Sequence, residues 1–126
     1  MLPANENGET ATIRIMEPLR GHQRVDQRSL ELHRAIAQKL RTHPELLEIA
    51  RDNLERWSQT AAHSTPYLGE WSRILDRPLP EILELIVEES EHMTAMRQNA
   101  PFAGILTPAE RWAIYDEFAA KHPLMV

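Results

Sequence analysis

The sequence contains no cysteine and only four glycines, and these shortages exclude several classes of site. Without cysteine there is no disulfide framework, no cysteine nucleophile and no zinc–thiolate centre. The glycines stand too far apart for a loop that cradles a phosphate. No apolar run approaches the roughly 18 residues that a membrane-spanning helix needs, and the first residues lack the pattern of a signal peptide. We therefore expect a cytoplasmic protein without membrane association.

The length and composition are those of one folded domain. The chain has 126 residues, of which 42% are apolar and 26% charged. Its formal charge of −5 is unevenly distributed: residues 14–41 carry seven bases against three acids, whereas residues 81–91 carry five glutamates and no base. Such runs are typical of solvated helix faces, and they are also candidate interaction surfaces.

The hydrophobic spacing predicts an all-α fold, a compact bundle of about five helices behind a flexible N-terminal arm. We place the arm at residues 1–24, where residues 10–16 alternate like a short strand, and a single helical domain at residues 25–126. We predict the first helix over residues 27–42 and the fourth over residues 80–98. The second, third and fifth helices should start at residues 42–45, 64–66 and 107–110.

Helix-start signals and aromatic residues refine this prediction. Asp26 is a candidate N-cap for the first helix, and Thr42 for the second. Thr107-Pro108-Ala109-Glu110 combines a capping hydroxyl, an early proline and a glutamate three residues after the threonine, which is the clearest start in the chain. Trp57, Trp71 and Trp112 all lie on predicted apolar faces, so core packing is the expected role of each.

Two arginine–histidine pairs raise the alternative of an RNase. Arg28 and His33 have four residues between them, and Arg56 and His63 have six. This spacing resembles the active-site motif of HEPN-type RNases, which are all-α proteins. A histidine near neutral pKa can move a proton, and an arginine can stabilise charge on phosphate. The motif is short, and Trp57 stands where that family has a polar residue, so this stays an alternative.

Other chemistry has weaker support. Glu89 and His92 have the spacing of a di-iron ligand pair, but the second copy of the motif is missing, so we expect no metal and no cofactor. No nucleophile–base pattern is present, and we expect no catalytic residue. A helix-turn-helix around residues 42–44 would present an acidic second helix to DNA. The basic arm is the better nucleic-acid candidate, which leaves a DNA-binding autoregulator as a further alternative.

Several stretches resemble a family of small bacterial proteins that we associate with two-gene toxin–antitoxin modules. They are Arg28-Ser29-Leu30-Glu31-Leu32-His33, His43-Pro44-Glu45-Leu46, Asn53-Leu54-Glu55-Arg56-Trp57, Glu70-Trp71 with Ile74-Leu75, and Met96-Arg97-Gln98-Asn99-Ala100-Pro101-Phe102-Ala103-Gly104-Ile105-Leu106-Thr107-Pro108-Ala109-Glu110-Arg111-Trp112. The resemblance covers about residues 28–118, and residues 97–112 are its most specific part. It implies an antitoxin-like protein that binds the toxin encoded beside it, a nucleotidyltransferase or an RNase.

We therefore predict a protein partner, and we leave nucleic-acid binding through the arm and homo-oligomerisation open. The loop at residues 99–106 carries apolar side chains between turn residues, so it either tucks into the core or forms a recognition edge. The acidic run suits a toxin that holds phosphate or RNA. The predicted partner-binding residues are Arg97, Gln98, Asn99, Pro101, Phe102, Glu84, Glu88 and Glu91.

Overall fold

The computed structural model describes residues 21–60 and 66–123. Within these ranges the chain forms six α-helices and no strand, which confirms the all-α prediction. The helices are α1 Gly21–Thr42, α2 Leu47–Ser58, α3 Pro66–Leu75, α4 Leu79–Leu85, α5 Glu91–Arg97 and α6 Pro108–Lys121, and a 3₁₀ turn, Pro44–Leu46, leads into α2. None of the described helices is long and apolar enough to cross a membrane.

The core is built from one apolar stripe of each of the first five helices and from the loop before α6. Trp71 lies at its centre, with no exposed surface, and the Trp71 Nε1–H donates to the Met96 carbonyl at 3.2 Å. The ring of Phe102 packs edge-on against Trp71, with 5.3 Å between centroids. The loop at residues 99–106 therefore tucks into the core, since Pro101, Phe102, Ile105 and Leu106 are all buried.

Helix α6 lies antiparallel along α1, and ion pairs join the two helices near both ends of α6. At one end the Lys39 ammonium donates to Glu110 at 2.7 Å, and at the other Lys121 donates to Glu31 at 3.3 Å. Phe118 is the buried residue of the helix. Thr107 and Glu110 form the full predicted capping box, so this helix start is confirmed.

Two predicted starts are wrong. Helix α1 begins at Gly21, not near residue 27, so Asp26 lies inside the helix and accepts a hydrogen bond from Gln98 at 3.2 Å. The early turn is held by α6, because Arg24 donates to the His122 carbonyl. Thr42 is the last residue of α1, and its hydroxyl donates back to the Lys39 carbonyl instead of capping the next helix. The rest of the predicted arm, residues 1–20 with the strand-like stretch, lies outside the described residues.

The helix predicted over residues 80–98 is two helices, α4 and α5. The break lies at residues 86–90, where the Ser90 hydroxyl accepts from the Met93 N–H and caps α5. The Arg97 guanidinium donates to the carbonyls of Ile86 at 3.2 Å and Glu88 at 2.8 Å, which have no helical partner in this turn. Periodicity alone missed the break because the apolar residues on both sides still face the same core.

Candidate functional site: a basic cleft beside an exposed aromatic face

Asn53 fixes the loop that forms one wall of the site. The Asn53 side chain is buried on α2, and its Nδ2 donates to the carbonyls of Pro101 at 2.7 Å and Ala103 at 3.0 Å. Gly104 follows with φ of +99°, a conformation that L-residues with a side chain rarely adopt. A Cβ at this position would lie 3.4 Å from the Ile49 side chain. The loop is thus held by a buried amide and by a glycine that lets the backbone turn close to α2.

Between this loop, α1 and α6 lies a cleft of about 330 Å³, which we call the basic cleft. A volume of this size is at the lower end of the range of small-molecule sites, roughly 300–1,000 Å³. Its lining residues are Val25, Arg28, Ser29, Leu32, His33 and Ile36 from α1, Arg97, Gln98, Ala100, Phe102, Ala103, Gly104 and Leu106 from the loop side, and Arg111 and Tyr115 from α6.

The charge of the basic cleft is of one sign. Three arginines, Arg28, Arg97 and Arg111, line it, and no aspartate or glutamate does so in the part of the chain that the structure describes. The Arg28 guanidinium lies 5.0 Å from the centroid of the Tyr115 ring, in cation–π contact. Low-dielectric walls around charges of one sign focus their field, so the cleft attracts anions.

His33 lies in the wall of the cleft and is buried, with 4% of its surface exposed. Its Nδ1 is 2.7 Å from the Ser29 carbonyl oxygen, which can only accept, so Nδ1 carries the proton. Burial lowers the pKa of His33 from 6.5 to about 4; the bond to Ser29 raises it, and the charge of Arg97 lowers it further. At neutral pH the ring is uncharged, and Nε2 is a hydrogen-bond acceptor with no partner among the described residues.

Arg97 is the second buried polar group of the cleft, with 5% of its surface exposed. Burial lowers the pKa of its guanidinium from the ordinary value, against the opposing effect of Asp26, but an arginine stays charged in proteins. Nη1 and Nη2 donate to the turn before α5 and to the Thr94 hydroxyl. The Nε–H, however, is a buried donor without a described partner. The side chains of His33 and Arg97 both line the cleft, but His33 Nε2 and Arg97 Nε each have less than 1 Å² of accessible surface.

Beside the cleft, α1 and α6 together present a surface that we call the aromatic face, formed by Val25 and Arg28 of α1 and by Arg111, Trp112 and Tyr115 of α6. Trp112 is 63% exposed and Val25 is 44% exposed. The Trp112 and Tyr115 rings pack edge to face with 5.8 Å between centroids, so the exposed indole is held against a residue of the cleft wall. The two surfaces thus share Val25, Arg28, Arg111 and Tyr115.

The predicted core role is confirmed for Trp71, which is fully buried, and Trp57 is half-buried against the core. The prediction is wrong for Trp112, which is exposed. Ile114 and Phe118, one helical turn apart, face the core and α1. A helix turns about 100° per residue, so Trp112, two residues before Ile114, points to nearly the opposite side of α6. The aromatic residues of α6 therefore serve two faces, because Phe118 is buried and Trp112 is exposed.

The eight predicted partner-binding residues fall into two groups. Arg97, Pro101 and Phe102 are buried, and Arg97 and Phe102 line the basic cleft. Gln98, Asn99, Glu84, Glu88 and Glu91 are exposed. The structure thus brings Arg97, Gln98 and Phe102 together and does not bring the three glutamates to the same site.

The structure describes one of the two arginine–histidine pairs on which the RNase alternative depends. Arg28 and His33 line the same cleft, but His33 is buried with its pKa near 4, which is poorly matched to proton transfer at neutral pH. The second pair falls outside the described residues at His63. His92 pairs with Glu70 at 2.5 Å, and no group of three or more potential ligands within residues 21–60 and 66–123 is arranged to hold a metal ion.

Sequence reasoning missed Arg111, Trp112 and Tyr115 as functional candidates. The available signal was the low amphipathicity of the last helix, in which Trp112, Ala113, Ala119 and Ala120 do not share a side with Phe118. A helix whose apolar residues point in several directions has more than one contact surface.

The class defined by the fold and the site is an all-α domain with a basic cleft and an adjoining exposed aromatic face. Comparison with models of protein families, with curated proteins and with solved structures found no match.

Proposed function

We propose that this chain is an antitoxin-like binding protein, not an enzyme, that neutralises or regulates a partner toxin in the bacterial cytoplasm. The observation that carries the proposal is the exposure of Trp112, which presents 63% of its surface on a helix whose ends are both anchored. Single exposed apolar residues are ordinary, but a tryptophan held against a tyrosine and flanked by arginines is not.

The composition of the aromatic face supports a protein partner. Tryptophan, tyrosine and arginine are the residues most enriched among those that dominate binding energy at interfaces. Here Arg28, Arg111 and Tyr115 line one cleft and Trp112 packs against Tyr115, while the Arg28–Tyr115 contact holds the arginine in place before binding. Side chains that are ordered beforehand lose less entropy on association.

The acidic run is a second contact region in this proposal. Glu84, Glu88 and Glu91 are exposed, and their carboxylates have no ion-pair partner in the described ranges. Such a surface is complementary to a toxin whose active site holds phosphate or RNA, since opposite potentials steer association and select partners.

The proposal is tested by co-expressing the chain with the product of the neighbouring gene. We expect a stoichiometric complex on size-exclusion chromatography and growth arrest when the neighbour is expressed alone. Trp112→Ala should weaken the complex by about 30-fold or more in Kd, the effect of losing a residue worth about 2 kcal/mol at an interface. Arg41→Ala, at an exposed position of α1 outside the aromatic face, is the matched control and should leave Kd unchanged.

Three results would separate the regions or overturn the proposal. Reversal of Glu84, Glu88 and Glu91 to lysine with full binding would remove the acidic run from the interface. Full binding by Trp112→Ala would remove the aromatic face. Absence of any complex, with the isolated chain sedimenting as a dimer that Trp112→Ala dissociates, would assign the aromatic face to a second copy of this chain instead.

A second candidate function is the binding of single-stranded RNA. It is favoured by the combination of two exposed or half-buried rings with Arg28 and Arg111, because bases stack on aromatic side chains while arginines contact phosphates. It predicts binding of a fluorescent oligonucleotide that weakens steeply with salt. Binding that is absent at low salt would exclude it.

A further inference from the structure

Helix α6 contributes little to the core that holds the other helices together. Only one of its 14 residues, Phe118, is buried. The main cluster of buried apolar residues comes from α1 to α5 and from the segments that join them, including the loop before α6. Among the residues that the structure describes, no residue of α6 belongs to that cluster, and Ile114 reaches it only as a partly buried neighbour. The core of the first five helices is therefore complete without the last one.

Open space runs along both sides of α6 where it lies on α1. Tyr115 lines the basic cleft of about 330 Å³, and Ala113 lines a second groove, of about 480 Å³, between the same two helices. These residues are two positions apart, so they point to nearly opposite sides of the helix. Dispersion energy depends on close contact, and a gap forfeits much of it. A helix with a gap on each side is thus held less firmly than one whose sides are filled.

The polar contacts between α6 and α1 lie at the surface. The ion pairs Lys39–Glu110 and Lys121–Glu31 span 2.7 and 3.3 Å, and each of the four side chains is at least 20% exposed. Exposed pairs of this kind contribute little stability, because water and salt screen them. A third contact is made by the Arg24 guanidinium, which donates to the carbonyl of the residue after the helix. These contacts position α6 without binding it strongly.

The chain can bend where α6 joins the core. Leu106 is buried, with 7% of its surface exposed, and the next residue, Thr107, is exposed. Asn53 donates to the carbonyls of Pro101 and Ala103, so the loop before this point is held on α2 independently of the helix. A free helix of 14 residues is marginal in water, so α6 would lose its own hydrogen bonds once it left α1.

We infer that α6 is a hinged strap, which detaches from α1 as one unit while α1 to α5 stay folded. Proteins open locally in such cooperative units, at lower free energy than global unfolding. Opening also takes the aromatic face apart, because Trp112 and Tyr115 leave Arg28 behind on α1. This consequence rests on the proposed function: a partner that needs the whole face binds only the closed form, and its binding slows the opening.

Amide hydrogen exchange, followed by NMR on the isolated full chain, measures the opening. We expect the amides of residues 112–121 to have protection factors within about threefold of one another, and at least about 100-fold below those in the middle of α2 and α3. Their protection should also fall less steeply with added urea, because detaching one helix exposes less surface than unfolding the whole chain.

Variants separate the strap from the core. Ile74 is a buried core residue of α3, with 5% of its surface exposed. Ile74→Val should lower the protection of α2 and α3 by about fivefold and leave that of α6 unchanged, because opening of α6 leaves this part of the core intact.

The ion pairs provide the converse test. Lys39→Met combined with Lys121→Met should lower the protection of α6 by about threefold, because the two ion pairs are broken only when the strap opens. Arg77→Met is the matched control, since it breaks an exposed pair with Glu81, at 3.2 Å, outside α6, and should leave the protection of α6 unchanged.

Three results would overturn the inference. Protection of α6 equal to that of α2 and α3 would show that it unfolds only with the whole chain, and a loss in α6 as large as that in α3 on Ile74→Val would show the same. Protection that rises from both ends of α6 to a fully protected centre would show fraying instead of detachment. The exchange is measured without a partner, so failure of the complex with the neighbouring gene product would leave this result standing.

Discussion

Replacing Asn53 by aspartate tests whether one buried amide holds the wall of the basic cleft. Asn53 has 6% of its surface exposed, and its Nδ2 donates to the carbonyls of Pro101 at 2.7 Å and Ala103 at 3.0 Å. The change to aspartate preserves shape but exchanges the donor for an oxygen. Both hydrogen bonds are lost, and the new aspartate oxygen faces two carbonyl oxygens at close range, while the other oxygen keeps its contact with Arg56.

The magnitude follows from the number of groups affected. Two hydrogen bonds contribute about 1 kcal/mol each net, and carbonyls left unpaired in a buried position add to the loss, so we expect Asn53→Asp to lower the free energy of unfolding by about 2–4 kcal/mol. With a urea m-value of about 2 kcal/mol/M, the middle of the usual range, the unfolding midpoint should fall by about 1–2 M. Tryptophan fluorescence follows the transition, since Trp71 contacts the loop through Phe102.

Asn99→Asp is the matched control, because Asn99 is exposed and its Nδ2 makes only a long contact of 3.5 Å with the Ala95 carbonyl. This variant should stay within about 0.5 kcal/mol of the unaltered protein. A midpoint for Asn53→Asp equal to that of the unaltered protein, or equal losses in the two variants, would refute the role assigned to Asn53.

Three further predictions concern single features of the fold. Gly104→Ala should lower the free energy of unfolding by about 1–2 kcal/mol, because the φ of +99° at this position is unfavourable for alanine. Gly69→Ala on α3, where the nearest atom to an added Cβ is 3.7 Å away, should raise the free energy of unfolding by about 0.5–1 kcal/mol. Thermal denaturation measures both variants, and a loss of stability in both would contradict the reasoning. The pKa of His33 is lowered from 6.5 to about 4, so the folded protein binds fewer protons there than the unfolded chain, and stability should be lost as pH falls from about 6.5 through about 4. The full effect is about 3 kcal/mol, visible in urea midpoints between pH 4 and 7.5, and an equally steep decline in His33→Phe would assign it to other groups. Thr107→Ala removes the hydroxyl that accepts from the Glu110 N–H and should cost about 1 kcal/mol, whereas Thr107→Ser should retain most of the stability if the cap is the cause.

The sequence predicted a helix boundary correctly where the residues that determine it are close together in the chain. The capping box at Thr107 was correctly identified, because all its participants lie within four residues. The start of α1 was misplaced, because its first turn is fixed by Arg24 reaching the carbonyl of His122, nearly a hundred positions away. The break between α4 and α5 depends on Arg97 in the same way, since a buried guanidinium bonded to turn carbonyls has no signature in hydrophobic periodicity.

The candidate site was harder to predict than the fold. The stretch at residues 97–112 contains Arg97, Gln98, Phe102 and Arg111 of the cleft wall. The sequence could not show which of its side chains point inward. Only the packing of the loop against Asn53 buries Pro101 and Phe102, and only the position of α6 on α1 joins Arg111 and Tyr115 to Arg28 and His33.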